Sequence, residues 1–174
     1  RMVDYLDKLD ALDRPLPRGA RVLAALGPRM IALAGERAAG THPYLGTPDL
    51  TRRTREQLGP DAFVAPEQAV VLETDPGRAR ALARGHLSMY LTLPNYARSI
   101  VRSGWDEADL ADGGSDRLVD RLVAWGDEDA VAARVAEHRD AGADHVCVQV
   151  LPDEPTAPAL EQWRRLAPVL VPAG

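Results

Sequence analysis

The sequence has 174 residues and is 45% hydrophobic, which suffices for one domain with a substantial core. Its 26 Asp and Glu outnumber 21 scattered Lys and Arg, so the net charge of −5 comes with no basic stripe and we expect no nucleic-acid partner. Cys147 is the only cysteine, which argues against an internal disulfide and a zinc site of paired cysteines. The sequence has neither an apolar stretch of membrane-spanning length nor a signal-peptide core. We therefore expect a cytoplasmic protein without a metal.

The first twelve residues, RMVDYLDKLDAL, predict an amphipathic helix, and its apolar side is formed by Val3, Leu6, Leu9 and Leu12. The helical pattern is already under way at Arg1. We therefore expect either that the chain was processed or that further residues precede Arg1. A proline-rich connector at residues 13–19 ends this helix.

A strand followed by a helix is predicted next. Residues 21–26, RVLAAL, form a short apolar strand, Gly27 makes the turn, and Pro28 suits the first position of a helix that ends at Gly40. Backbone amides at such a helix N-terminus can hold a phosphate or another anion, and a glycine permits close approach. An ordinary tight turn explains the same pattern and is the more frequent case.

The next two predicted strands are residues 41–45 and 69–74, and a helix follows each of them. His42 and Tyr44 lie in the first of these strands and suit a small-molecule site. A histidine beside a turn is nevertheless more often a hydrogen-bonded structural group. The Asp-Pro pair at residues 75–76 starts a long helix after the second strand.

Residues 76–125 are predicted to be helical with interruptions at Pro94, Gly104 and residues 112–115. This segment is too long for a plain crossover, so it is a helical insertion before the last strand. A lid or a subunit contact would fit such an insertion, and plain solvated packing is the default alternative.

The sequence from Gly126 to Leu151 predicts one further helix, turn and strand. Asp127 suits the N-cap of the helix, Gly142 suits a left-handed turn after it, and residues 145–151 alternate β-branched residues in a buried strand. A closing helix at residues 154–170 is expected to bury Trp163 in the core.

Strands that each lead into a helix are typical of parallel α/β proteins, whose sheets are covered by helices. The chain holds about four such strands, which is half of a (β/α)8 TIM barrel. The predicted architecture is therefore one domain, residues 1–174: a C-terminal half-barrel of four parallel strands with outer helices and a helical insertion before the last strand.

Three stretches together resemble the luciferase-like monooxygenase superfamily: RVLAALGPRMIALAGERAAGTHPYL, LETDPGRARALAR and VAWGDEDAVAARVAEHRDAGADHVCVQVL. They are most similar to its branch of oxidoreductases that use the deazaflavin coenzyme F-420. The first stretch resembles the fifth strand of that barrel and the start of the following helix. The last stretch resembles the final helix and the eighth strand.

The resemblance implies that the coenzyme lies across the C-terminal mouth of the barrel. Carried over from relatives, the backbone that contacts the coenzyme is Ala24, Ala25, Leu26 and Gly27. Some relatives have a second glycine where Leu26 stands, which puts a very close approach there in doubt. His42 and Tyr44 correspond to positions that meet the substrate or the coenzyme tail.

The resemblance covers only the C-terminal half of the family's barrel. It implies hydride transfer between F-420 and an unknown small-molecule substrate, in a full-length protein that is a homodimer. The catalytic residues of relatives lie on strands of the other half, so none is assigned here. Two alternatives stay open: an FMN-dependent monooxygenase of the same superfamily, and a non-catalytic half-barrel that binds a cofactor or a partner.

Overall fold

The structure, a computed structural model, describes residues 1–153 and 158–171. Its strands form two small sheets. The first has the order β1 (Val22–Leu23), β2 (Gly40–Thr41) and β3 (Phe63–Val64). The second places β4 (Glu67–Val71) between β5 (Val123–Trp125) and β6 (Cys147–Val150). Every pair is parallel, which confirms the predicted parallel α/β architecture.

The segment from β3 to β4 joins the two sheets. The amide of Ala65 donates to the carbonyl of Thr41 at 3.0 Å, and the amide of Glu67 donates to the carbonyl of Pro43 at 2.9 Å. On the other side, the amide of Cys147 donates to the carbonyl of Pro66 at 2.8 Å. Residues 63–71 therefore act as one bent strand, and with β1, β2 and β6 they correspond to the four predicted strands, although β1 and β2 are shorter than the predicted ranges 21–26 and 41–45.

Helices connect the strands: α1 (Met2–Asp10), α2 (Pro28–Arg37), α3 (Pro48–Leu58), α4 (Pro76–Thr92), α5 (Pro94–Arg102), α6 (Asp116–Leu122), α7 (Glu128–Asp140) and α8 (Leu160–Leu170). The predicted caps start two of them. The Asp127 carboxylate accepts from the amide of Ala130 at 3.0 Å, and Asp75 accepts from the amide of Arg78 at 2.8 Å. Gly142 follows α7 with φ +97°, the left-handed conformation predicted for it. No helix in the described ranges is long and apolar enough to cross a membrane.

Helix α5, a 3₁₀ segment (Glu107–Gly113) and α6 form the helical insertion, which lies between β4 and β5. The sequence places residues 116–125 in a single helix, but the helix ends at Leu122 and β5 follows without a break. The reason is packing: Val123 and Ala124 are buried, and β5 pairs with β4 along its length. The third strand also lies earlier than predicted, at residues 67–71 in place of 69–74.

The predicted burial of the two terminal helices is partly wrong. Only Leu6 of α1 is buried, whereas Val3 and Leu12 are exposed. Trp163 on α8 is 42% exposed, so it is not the core residue that its helical spacing predicts. The part of the closing helix predicted at residues 154–157 lies outside the described residues.

Strands β4 and β6 separate two apolar layers. One face of β4, with Ala69 and Val71, packs against α4 and α6 in the larger cluster. The other face carries Val70, which packs with Val150 of β6 and with side chains of α7 and α8. Side chains alternate between the faces of a strand, so Glu67 and Gln149 share the face of Ala69.

A buried polar network ties α7 to α3 and β4. His138 is fully buried, and its Nδ1 lies 2.9 Å from Thr51 Oγ1 and its Nε2 3.0 Å from Gln68 Oε1. Because the Gln68 amide donates to the carbonyls of Ala69 and Leu122, its Oε1 must accept from His138 Nε2. The ring is neutral at neutral pH because its pKa is lowered, so Nδ1 accepts from the Thr51 hydroxyl. Burial, with the charges of two nearby arginines, lowers the pKa of His138 to about 4.

We expect the His138 network to weaken the fold in acid. An unfolded histidine titrates near pH 6.5, so between about pH 6.5 and 4 the unfolded chain binds a proton that the folded protein does not. The free energy of unfolding should fall by roughly 3 kcal/mol over this window through His138 alone, at 1.36 kcal/mol per pKa unit. Urea unfolding at each pH measures it, with His138→Gln as the control that cannot titrate. Equal pH dependence in the two proteins would contradict the assignment.

Candidate functional site

A cavity of about 350 Å³ lies where the loops after β1 and β2 meet helix α5. In parallel α/β folds, ligands bind at this edge, outside the carboxyl ends of the strands. Its lining combines backbone of the β1–α2 turn with aromatic and basic side chains: Ala24, Ala25, Leu26, Gly27, Met30, Tyr44, Asn95, Tyr96, Arg98 and Arg102.

Gly27 is the N-cap of α2 and has an extended conformation, with φ −113° and ψ 156°. Pro28 occupies the first helical position and has no amide hydrogen. The amides of Met30 and Ile31 already donate to the Gly27 carbonyl, at 3.0 and 2.9 Å. In the first turn, the amide of Arg29 therefore remains available to an anion. A helix N-terminus without a proline would offer more free amides.

Two arginines of α5 supply positive charge beside this turn. Arg98 and Arg102 are four residues apart on α5, and both line the cavity. A Cβ atom placed on Gly27 would lie 3.4 Å from Nη2 of Arg102, so the guanidinium stands directly over the turn. Helix α5 is held there by Ser99, whose hydroxyl donates to the Leu26 carbonyl at 3.2 Å. An arginine pair next to a helix N-terminus suits a phosphate group.

Two lining residues of the cavity, Tyr44 and Tyr96, belong to an aromatic cluster. The ring of Tyr44 lies 5.3 Å from that of Tyr90, which in turn lies 5.2 Å from Tyr96 and 5.1 Å from His86, measured between centroids. The Tyr44 hydroxyl donates to Gln149 Oε1 at 2.7 Å. Burial raises the pKa of Tyr44, and contact with Tyr90 raises it further, so the phenol stays protonated at neutral pH.

A buried carboxyl lies beneath this cluster. Glu67 is only 3% exposed, and its Oε2 accepts from the amide of Leu45 at 3.0 Å. Its Oε1 is buried and has no hydrogen-bond partner among the described residues. Burial raises the pKa of Glu67 to about 7, because desolvation outweighs the single hydrogen bond from Leu45.

We expect Glu67 to lower stability as the pH rises. An unfolded glutamate titrates near pH 4.5, so between about pH 4.5 and 7 the folded protein holds a proton that the unfolded chain has lost. The free energy of unfolding should therefore fall by roughly 3 kcal/mol across this window and stay low above pH 7. Glu67→Gln should remove this dependence in urea unfolding. A dependence that survives in Glu67→Gln would show that another group titrates.

The structure brings five of the six site residues predicted from the sequence to one cavity. Ala24, Ala25, Leu26 and Gly27 line it together with Tyr44. His42 does not line it: its ring is half-buried, and Nδ1 lies 2.6 Å from the carbonyl oxygen of Ala65. The described residues contain no group of three side chains able to hold a metal ion.

Sequence reasoning missed the side chains that make this cavity distinctive. Arg98 and Arg102 lie in the stretch NYARSIVRS, where the spacing of four residues puts both on one face of a helix. That spacing was the available signal, but only the fold shows that the face is turned toward Gly27. Tyr96 lies on the same helix, and nothing in the sequence links it to Tyr44.

The structure is similar to solved structures of proteins whose chains are about twice as long. It matches an F-420-dependent secondary alcohol dehydrogenase, solved with an F-420–acetone adduct, with a TM-score of 0.64 and 11% identity over 91% of this chain and 50% of that one. It matches a coenzyme F-420 dependent tetrahydromethanopterin reductase from Methanopyrus kandleri with a TM-score of 0.61 and 19% identity, over 84% and 48% of the two chains. An EDTA monooxygenase from Chelativorans sp. BNC1 gives a TM-score of 0.59 and 21% identity over 91% and 46%.

These neighbours belong to the luciferase-like monooxygenase superfamily, and the chain has the fold of that superfamily over about half the length of the neighbours. The predicted resemblance is thereby confirmed at the level of the fold. No protein-family model matches the sequence, and no curated protein sequence matches it.

Proposed function

We propose that the chain is the C-terminal half of an oxidoreductase that transfers a hydride between coenzyme F-420 and an organic substrate. The observation that carries the proposal is the cavity in which the β1–α2 turn, Tyr44 and two arginines of α5 meet. The fold supports it, because two of the similar structures are F-420-dependent enzymes.

The residues of the cavity fit a coenzyme with a phosphate-bearing tail. Arg98 and Arg102 would hold the phosphate with the Arg29 amide, and Gly27 leaves the turn free of a side chain. Ala24 and Ala25 leave room for the backbone to approach the coenzyme. When bound, the deazaflavin supplies the hydride chemistry, and the protein supplies orientation and excludes water.

The substrate side of the proposal rests on Tyr44 and His42. Tyr44 lines the coenzyme cavity and presents a protonated hydroxyl at neutral pH. For His42 to contact the substrate, the substrate would have to extend beyond the cavity to the place where the His42 ring is hydrogen-bonded to the Ala65 carbonyl. Residues that carry out catalysis would come from the other half of the barrel.

An FMN-dependent monooxygenase is the second candidate. An EDTA monooxygenase is among the similar structures, and its sequence identity to this chain is the highest of the three described above. F-420 and FMN both carry a phosphate, so Arg98 and Arg102 suit either of them. The cavity therefore does not by itself choose between the two cofactors.

Titration of the full-length protein with F-420 and with FMN tests the proposal. We expect F-420 to bind more tightly, and its absorbance to change as hydride is transferred when the substrate is supplied. Tighter binding of FMN would favour the monooxygenase. Failure of both to bind, in a folded protein, would favour a non-catalytic half-barrel that serves as an interaction module.

The proposed protein is a cytoplasmic homodimer that acts on a small molecule, without nucleic-acid or membrane partners. The other half of the barrel would pair with β1, which is the edge of its sheet in this half, so the homodimer rests on the resemblance to the family. Light scattering of the full-length protein should give twice the mass of one chain. A monomer at micromolar concentration would contradict the homodimer.

A further inference from the structure

A second and larger cavity, of about 600 Å³, lies between α4, the end of β6 and α8. Most of its lining residues are apolar, with Leu82, Val150, Leu151 and Trp163 among them, and three carry polar side chains: His86, Gln149 and Asp153. A cavity of this size, apolar with a few polar groups, is typical of a small-molecule site. The exposure of Trp163 has its explanation here, since its ring forms part of the wall.

The larger cavity shares a wall with the proposed coenzyme cavity. Tyr44 lines the coenzyme cavity, and its hydroxyl is hydrogen-bonded to two polar residues of the larger one: Gln149 Oε1 at 2.7 Å and His86 Nε2 at 3.2 Å. One hydrogen-bonded layer of side chains therefore stands between the two cavities. A molecule in the larger cavity would lie next to the coenzyme.

The hydrogen bonds of this layer fix what it can offer to a ligand. The Tyr44 hydroxyl donates to Gln149, so His86 Nε2 carries the hydrogen and donates to Tyr44. Nδ1 of His86 is then an acceptor, and Nε2 of Gln149 is a donor. Neither makes a hydrogen bond with any residue that the structure describes. Both residues contact the same Tyr44 hydroxyl and line the larger cavity, so together they offer one acceptor and one donor, which is what a hydroxyl group needs.

The charges around the larger cavity favour a neutral ligand. Among the described residues, no lysine or arginine lines it, and Asp153 lies in its wall. Burial lowers the pKa of His86, so the imidazole is uncharged at neutral pH and Nδ1 remains an acceptor. An anion would meet the Asp153 carboxylate without any cation to balance it.

We propose that the larger cavity is the substrate site and that it takes an uncharged, mostly apolar alcohol or phenol. The hydroxyl of this molecule donates to His86 Nδ1 and accepts from Gln149 Nε2, while its apolar part packs on Leu82 and Trp163. The assignment as substrate site rests on the proposed function, whereas binding of such a molecule does not.

Three probes of one shape test the ligand class on the full-length protein. 2-Naphthol is neutral and carries a hydroxyl, naphthalene lacks it, and 2-naphthoate is an anion. Calorimetry or fluorescence should rank 2-naphthol first, and we expect it to bind about 3- to 10-fold more tightly than naphthalene, the effect of one or two net hydrogen bonds. Naphthoate should bind weakest. Equal affinity for all three, or no binding of 2-naphthol, would overturn the inference.

Two variants locate the probe. A Cβ on Gly85, which lines the cavity, would meet no atom within 4 Å, so Gly85→Leu should fill the cavity without disturbing helix α4 and reduce the affinity for 2-naphthol at least tenfold. Ser88→Leu, three residues along the same exposed side of α4, does not line the cavity and should leave the affinity unchanged. Equal affinity in these two variants would place the probe elsewhere.

His86→Phe keeps a planar ring but removes the acceptor. It should lower the affinity for 2-naphthol toward that for naphthalene, because only the Gln149 donor remains, and leave the affinity for naphthalene unaffected. Binding of F-420 is measured in the same samples. Coenzyme binding without 2-naphthol binding would overturn this inference and leave the proposed function standing. If 2-naphthol bound and F-420 did not, the proposed function would be overturned and the ligand site would stand.

Discussion

Gly40→Ala is expected to destabilise the fold by at least about 3 kcal/mol, the scale of severe steric substitutions in a core. Gly40 pairs with Phe63 in the first sheet. A Cβ on Gly40 would lie 1.8 Å from the carbonyl oxygen of Phe63 and 2.6 Å from its amide nitrogen. Backbone atoms of a neighbouring strand cannot swing aside as a side chain can, so β2 and β3 would have to separate.

Urea unfolding of Gly40→Ala beside Gly85→Ala measures the effect. Gly85 lies on an exposed part of α4, where a Cβ would meet no atom within 4 Å, so alanine there should raise stability by about 0.5–1 kcal/mol. The two variants make the same chemical change and should differ in sign. An unchanged unfolding midpoint for Gly40→Ala would show that β2 and β3 do not pair as described.

Gly27→Val should weaken coenzyme binding by about ten- to a hundredfold, corresponding to roughly 1–3 kcal/mol, without unfolding the protein. The φ of −113° at Gly27 is one that valine adopts readily, so bulk and not backbone strain is the cause. A Cβ there already reaches to 3.4 Å from Arg102 Nη2. The two γ-methyl groups would displace that guanidinium and cover the turn.

The binding is measured on the full-length protein by titration with F-420. Gly19→Val is the matched control, because a Cβ on Gly19 meets no atom within 4 Å and Gly19 does not line the cavity. Equal affinities for the wild type, Gly27→Val and Gly19→Val would mean that the β1–α2 turn is scaffold and that the coenzyme site lies elsewhere.

Local signals in the sequence predicted most of the fold. Asp75 and Asp127 cap helices within a few residues of the strands that precede them, and Gly142 marks the turn before the last strand. Such signals act over one or two turns of chain, so they can be read without knowing the tertiary structure. The alternation of apolar residues in β6 likewise depends on local pattern alone.

The missed features depend on contacts between distant residues. Residues 123–125 follow α6 without a glycine or proline, and they become a strand only because β4 offers pairing partners more than fifty residues earlier. Trp163 has the spacing of a core residue, yet it borders a cavity. Sequence patterns report that a side chain is apolar, but they do not report how well the space around it is filled.

The candidate site was predictable only in part, for the same reason. The β1–α2 turn was found from its glycine and proline. The partners of Tyr44, however, are His86 and Gln149, which lie 42 and 105 residues further along the chain. Arg98 and Arg102 belong to an insertion whose position over the turn follows from packing, including the hydrogen bond of Ser99 to Leu26.

The central claim is that the coenzyme lies against the β1–α2 turn and α5. Hydrogen–deuterium exchange of the full-length protein, with and without saturating F-420, tests it most directly. Residues 24–31 and 95–102 should exchange more slowly with the coenzyme bound, while α7, on the outer face of β4, should be unchanged. Unchanged exchange rates for residues 24–31 and 95–102 in the presence of saturating F-420 would contradict the claim. The absence of any F-420 binding would also contradict it.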